Sequence, residues 1–244
     1  MAKLRLAGKV ALVTGGSRGI GQAIVKAFLA EGARVVLTGT SAKSIEGFDD
    51  ADCAGIVADL AAPDAPQRIV DTALERFGAL DVLVNNAGVS SGSNVWEVTA
   101  EEWDRLLNIN LRSVFFLSQA AARCMRGRGG SIVNVSSIAG QNGGLAGSPA
   151  YAAAKAGVIG LTRSLARRLA PERIRVNCLS PADIETDMTA RWPQPLRERL
   201  IAITPLGRFG SVDEVSGAAV FLASDEASFI TGQTLAINGG AYMA

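Results

Sequence analysis

The chain has 244 residues, 48% hydrophobic and 19% charged, a globular composition long enough to bury a sizeable core. Its formal net charge of +1, without long basic or acidic runs, argues against nucleic acid or an anionic membrane as the main partner. It contains no histidine and no Cys-x-x-Cys pair, which argues against His-based triads, a zinc-dependent alcohol dehydrogenase and any metal site.

No apolar stretch reaches the ~20 residues that span a bilayer, and residues 1–10 hold no signal-peptide h-region. Cys53, Cys124 and Cys178 are far apart and odd in number, so a disulfide framework is not expected. The chain reads as cytoplasmic, with acid–base chemistry left to Tyr, Lys, Asp, Glu or Cys.

Residues 10–14 form a short apolar run that leads into Gly15-Gly-Ser-Arg-Gly-Ile-Gly21. A helical pattern of Ile24, Phe28 and Leu29 follows and stops near Gly32. Strand, glycine loop and helix together are the context in which such a loop binds a dinucleotide. Gly15 suits the tight turn, Gly19 lets backbone approach a pyrophosphate, and Gly21 permits close helix–strand packing. The helix N-terminus would face the phosphates. The spacing differs from G-x-G-x-x-G, and a plain glycine loop is the alternative.

A second strand covers 34–38. No acidic residue stands at its end to take the ribose 2′-hydroxyl of NAD(H); the first is Glu46. Arg18, helped by the Thr40 and Ser41 hydroxyls, suits a 2′-phosphate and favours NADP(H), with a solvated Arg18 as the alternative.

After a short crossover, a third strand at 54–58 ends in Asp59 and Leu60, where a carboxylate can meet an adenine amino group. A helix over about 65–77 and a strand at 81–85 lead to Asn86, Ala87 and Gly88, small residues that suggest close approach to a ligand. Residues 100–125 read as one long helix after Thr99, with Glu101 and Glu102 in its first turn. Asn110 interrupts its apolar pattern, so it either caps a kink or organises water.

A fifth strand spans 131–136 with Ser137 at its end, and 141–148 form a glycine-rich loop. A helix to about 170 and a sixth strand at 174–179 follow. A long, polar, irregular insert at 185–204, a helix at 212–222 and a last strand at 234–237 complete the pattern. Long loops at the strand ends of an open sheet are where substrate lids sit. The alternation predicts an α/β fold, a single-domain doubly wound parallel sheet with helices on both faces.

Within the helix after Pro149, Tyr151 and Lys155 stand four apart in an alanine-rich run and so share one face. A positive charge beside a phenol, which ordinarily titrates near ~10, favours the phenolate and allows proton exchange near neutral pH. Taken alone, the pair also suits a surface helix.

Taken with Thr14-Gly15-x3-Gly19-x-Gly21, Asn85-Asn86-Ala87-Gly88, Asn110 and Ser137, the pair makes the whole chain resemble the short-chain dehydrogenase/reductase family. The likeness is closer to 3-oxoacyl-[acyl-carrier-protein] reductases, through Val133-Asn-Val-Ser-Ser137, Thr204-Pro-Leu-Gly-Arg-Phe-Gly210 and Phe221-Leu-Ala-Ser-Asp225. These segments are shared by many sugar, polyol and hydroxy-acid dehydrogenases.

The resemblance implies a Rossmann fold across residues 1–244, with a dinucleotide-binding amino-terminal half and a substrate lid near 185–204. It implies an oxidoreductase that interconverts a carbonyl and a secondary alcohol by hydride transfer with NADP(H). Tyr151 would exchange the proton, Ser137 would hold the reacting oxygen, and Lys155 would bind the nicotinamide ribose and lower the Tyr151 pKa. Asn110 would hold a water linking Lys155 to solvent. Gly15, Ser17, Arg18, Gly19, Ile20, Gly21 and Thr40 would bind the cofactor phosphates, and Asp59 and Leu60 would bound the adenine. Asn86, Ala87 and Gly88 would line the adenosine ribose, and Ile184 and Thr186 would contact the carboxamide.

The implied partners are a small carbonyl or alcohol substrate, an acyl thioester among the candidates, and three further copies in a homotetramer. Alternatives are an NAD-linked sugar, polyol or alcohol dehydrogenase, or a non-catalytic dinucleotide sensor. Trp96 and Trp192 would either cover a substrate or pack as core.

The chain departs from the pattern at three places. Ala182 stands where glycine is usual after Pro181, one extra residue separates Ser137 from Tyr151, and Glu172 replaces a carrier-gripping arginine near Arg126 and Arg128.

Overall fold

The computed structural model describes residues 4–145 and 147–243. Met1 to Lys3 of the amino terminus, Ala146 of the 141–148 loop and Ala244 lie outside the described residues. Seven parallel strands form one sheet in the order β3-β2-β1-β4-β5-β6-β7. They are β1 Val10–Val13, β2 Arg34–Gly39, β3 Cys53–Val57, β4 Val82–Asn85, β5 Gly130–Val135, β6 Ile174–Pro181 and β7 Thr234–Ile237. Each lies within about a residue or two of its predicted position, as hydrogen-bond assignments of strand ends allow.

These strands are continuous apolar runs because both faces are covered, as a parallel sheet requires. Alternate side chains point to opposite faces. Val10 and Leu12 of β1 enter one core with Leu83, Ile132 and Val176, and Ala11 and Val13 enter the other with Val35, Val84 and Val133. The first core is capped by α3 (Ala65–Phe77) and α5 (Ser113–Met125), the second by α1 (Gly19–Ala30) and α9 (Val212–Ala223). Each fully buried Leu or Val contributes roughly 1.5–3 kcal/mol before the entropy of ordering is subtracted.

Two predicted elements differ from the structure. The long helix over 100–125 is α4 (Ala100–Leu107), a π-turn at Asn108–Arg112, and then α5. The insert at 185–204 is not irregular: it holds a 3₁₀ turn, Thr189–Arg191, and the helix α8, Gln194–Ala202. Pro193 and Pro195 signal a loop in sequence, yet proline in a helix's first turn costs nothing because that N–H has no intrahelical partner. The remaining helices are α2 (Ala42–Ile45), α6 (Ala139–Asn142) and α7 (Pro149–Leu169).

Ala182 lies in ordinary backbone, since Arg173 alone among described non-glycine residues has a positive φ. Between Ser137 and Tyr151, Gly143, Gly144 and Gly147 all take positive φ.

Candidate active site

All the motif residues lie at the carboxyl-terminal ends of the strands, the edge where open α/β sheets bind ligands. The glycine loop after β1 is fixed by side chains from three strands. Buried Thr14 accepts the Asn86 and Ala87 backbone N–H groups on Oγ1, both at 3.0 Å. Asn86 Nδ2 returns to the carbonyls of Thr14 (2.9 Å) and Gly15 (3.2 Å), and Thr38 Oγ1 accepts the Gly15 N–H at 3.0 Å. The Asn86 side chain therefore braces the loop, leaving its backbone, with Ala87 and Gly88, to face the cleft. Gly15 and Gly19 have φ of +63° and +54°, and a Cβ on Gly21 would run into the Gly15 carbonyl oxygen.

The first turn of α1 carries no acidic residue, and Arg18 precedes it, exposed and extended, without capping the helix through its side chain. Ser17 and Ile20 are half-buried beside it. Thr40 is exposed past the end of β2, next to Ser41, whose hydroxyl caps α2 by accepting the Ser44 N–H. Asp59 is exposed and accepts the Ala61 N–H at 2.9 Å, and Leu60 is buried. Bare backbone, a free helix N-terminus and a flanking arginine fit the pyrophosphate of a dinucleotide.

Across the cleft, α7 starts where Ser148 Oγ accepts the Tyr151 N–H and Pro149 occupies the first turn. Tyr151 is half-buried and Lys155 buried, one helical turn apart. Burial pushes the Tyr151 phenol above its ordinary value, and the Ser137 hydroxyl beside it offsets part of that rise. The Lys155 Nζ lies 5.7 Å from the Tyr151 ring centroid and donates instead to the Val135 carbonyl at 2.8 Å. Desolvation brings the Lys155 pKa down to about 8.

Fully buried Asn110 lies within the π-turn. Its Nδ2 donates to the Leu106 and Val89 carbonyls, both at 2.9 Å, and its Oδ1 accepts the Val89 N–H at 3.1 Å. The kink reading of Asn110 is thus the visible one. A Cβ on Gly88 would lie 2.8 Å from Asn110 Oδ1 and 3.4 Å from Lys155 Nζ, so the two meet across a glycine.

The family model described as Enoyl-(Acyl carrier protein) reductase matches residues 15–242. The chain is 44% identical over 240 residues to the 3-oxoacyl-[acyl-carrier-protein] reductase FabG of Salmonella typhimurium, covering 97% of this chain and 98% of that one. It is 40% identical over 247 residues to a 3alpha-hydroxysteroid dehydrogenase of Mediterraneibacter gnavus, covering 98% of each. A solved structure titled short-chain dehydrogenase/reductase SDR:Glucose/ribitol dehydrogenase, from Brucella melitensis, superposes over 100% of both chains with a TM-score of 0.93 and 36% identity.

The chain belongs to the short-chain dehydrogenase/reductase family. It is an NAD(P)-dependent oxidoreductase. The names of these relatives differ in substrate, so they fix the family and the class of chemistry only.

In this short-chain dehydrogenase/reductase the 185–204 segment leans over the glycine loop. A Cβ on Gly19 would lie 3.7 Å from Thr186 Cγ2, and Ser90 Oγ donates to Met188 Sδ at 3.7 Å. Ile184 is buried in the core against Gly210, so only its backbone is left for a ligand. Arg197 bonds Glu185 (2.8 Å) and the Thr189 carbonyl (2.9 Å) and stacks over Phe209, which also meets Trp192 edge-on. Trp192 is therefore packing, whereas Trp96 is 92% exposed.

Sequence reasoning assigned no role to several residues that build the site. Ser136 Oγ donates to the Lys155 carbonyl at 2.7 Å, and Asn134 links Asn85 (2.9 Å) to Thr162 of α7 (2.9 Å), fixing that helix to β4 and β5. Polar residues inside otherwise apolar strand runs were the signal, because a buried amide must find partners.

Proposed function

We propose that the chain reduces 3-oxoacyl thioesters to 3-hydroxyacyl thioesters with NADPH, as a cytoplasmic homotetramer. Residues 1–244 act as one domain, with the amino-terminal half binding dinucleotide and 185–204 serving as lid. The observation that carries the reading is the Tyr151 phenol beside the Ser137 hydroxyl at the strand ends, with a buried lysine one turn further on.

When bound, the nicotinamide supplies hydride to the carbonyl carbon. Ser137 donates a hydrogen bond to the carbonyl oxygen, an oxyanion-type contact. Tyr151 gives its phenolic proton to that oxygen, so C=O becomes CH–OH. The phenol, raised above its ordinary value by burial, is protonated at neutral pH, the state a proton donor needs. Lys155, at about 8, is mostly charged at pH 7 and able to bond the nicotinamide ribose. Asn110, whose Oδ1 keeps a second lone pair beyond the Val89 N–H, would hold the water that passes a replacement proton. Arg18 and Thr40 take the 2′-phosphate, Asp59 and Leu60 bound the adenine, and Ile184 and Thr186 approach the carboxamide.

Arg126 is paired with Glu172 at 2.9 Å and Arg128 with Asp81 at 2.8 Å, both before or below β5 at the opposite sheet edge.

The test combines a fluorescence titration with NADPH and NADH and an assay on a small 3-oxoacyl thioester. Expected are tighter NADPH binding and turnover that disappears in Tyr151→Phe while cofactor affinity is kept. Equal or tighter NADH binding, with oxidation of sugars or polyols, would move the assignment to the NAD-linked dehydrogenase.

A further inference from the structure

The segment after Gly88 has no regular structure over 89–94, and it is held from one side. Ser91 Oγ donates to one oxygen of the Glu102 carboxylate, and Ser93 Oγ donates to the other at 2.8 Å. Glu102 sits in the first turn of α4, where Thr99 Oγ1 accepts its N–H at 3.2 Å. A carboxylate near a helix N-terminus is favoured by the helix dipole. Its position is thus set by the helix and passed on to the loop.

That loop touches three parts of the site in turn. Val89 is bonded through both backbone groups to Asn110, and Ser90 faces Met188 of the 185–204 segment. A Cβ on Gly147 would lie 3.7 Å from the Ser91 carbonyl oxygen and 3.8 Å from Tyr151 Cδ1. Ser91 is therefore one glycine away from the Tyr151 ring.

We propose that Glu102 is a positioning residue whose carboxylate, through Ser91 and Ser93, fixes the 89–94 segment as the wall of the substrate mouth opposite Tyr151. This rests on the carbonyl-reductase reading above. The two serine hydroxyls hold the carboxyl below the usual carboxylate range, so both oxygens stay acceptors at neutral pH. Hydrogen bonds to an ionised acceptor are the strong class. Without them an irregular segment must be ordered when substrate binds, and that entropy is paid in substrate affinity, not in the proton-transfer step.

The experiment compares Glu102→Ala, Glu102→Gln and the double variant Ser91→Ala/Ser93→Ala, which leaves α4 untouched. Each is assayed with NADPH and a small 3-oxoacyl thioester. Glu102→Ala and the double serine variant should each raise KM about tenfold, with kcat changed by no more than about twofold and NADPH affinity unchanged. The triple combination should be no worse than either parent, because all remove the same contact. Glu102→Gln keeps one acceptor oxygen and should fall between.

An unchanged KM, multiplying effects in the combination, or a joint fall in kcat and NADPH affinity would overturn the positioning role. Failure of the underlying reading looks different: the unmodified protein would bind NADPH yet turn over no carbonyl substrate, which overturns both.

Discussion

At Lys155 the fold carries a cation that its surroundings disfavour. The side chain is 4% exposed, and desolvation lowers its pKa from 10.5 to about 8. The folded-state pKa is depressed for a base, so the native state binds the proton less well than the unfolded chain does. The cost is fully present below pH 8 and fades as pH rises from about 8 to 10.5. It amounts to about 3 kcal/mol at pH 7. The bond to the Val135 carbonyl returns part of this, and losing such a partner costs about 1–3 kcal/mol. Lys155→Met should therefore hold or gain stability at pH 7, gaining roughly a kcal/mol, while losing turnover. The gain should vanish near pH 10.5, where the native lysine is neutral. Thermal melts of both proteins at the two pH values check this, and a large loss of melting temperature at pH 7 would refute it. The Tyr151–Lys155 pairing was legible from spacing, but the electrostatics were not. Where Nζ points depends on a carbonyl of β5, far away in sequence.

At the scale of elements, the glycines of the β1–α1 connection and those on open helix faces should respond in opposite ways. A Cβ on Gly21 meets the Gly15 carbonyl and the Asn86 amide, both held by other strands, so neither can yield. Gly21→Ala should cost about 1–3 kcal/mol from overpacking and impair dinucleotide binding by pushing the loop outward. Gly217, inside α9, has nothing within 4 Å of its missing Cβ. Gly217→Ala should stabilise by about 0.5–1 kcal/mol and leave activity alone. Melting curves and NADPH titrations of the two variants form a matched comparison; equal effects would remove the packing argument. The same contrast explains what the sequence made readable. Strands appeared as apolar runs, and the glycine loop appeared because tight turns and close approach demand glycine. The π-turn at Asn108–Arg112 left only the Asn110 irregularity, and α8 was masked by Pro193 and Pro195. The Glu102–serine clamp joins residues separated by a turn whose path the pattern does not specify.

For the whole molecule, two apolar surfaces bear on the proposed tetramer. Among the described residues β7 pairs only with β6, so it ends the sheet and presents an open edge. Around it stand Leu235 and Leu206, Met243, and Phe229 at full exposure; Leu206 N–H bonds the Gly239 carbonyl, and Gly240 packs against Pro205 and Met243. An open edge beside apolar side chains invites pairing with another chain. A second surface lies on the helices, where Trp103 of α4 and Phe116 of α5 are exposed. One self-complementary patch yields only a dimer, and a closed tetramer with twofold axes needs two distinct patches. Phe229→Glu with Leu206→Glu should therefore stop assembly at a dimer, as should charges at Trp103 and Phe116 alone. Both sets together should give monomers. Light scattering after size exclusion reads the mass directly. A tetramer that survived charges on both surfaces would place its interfaces elsewhere on the fold.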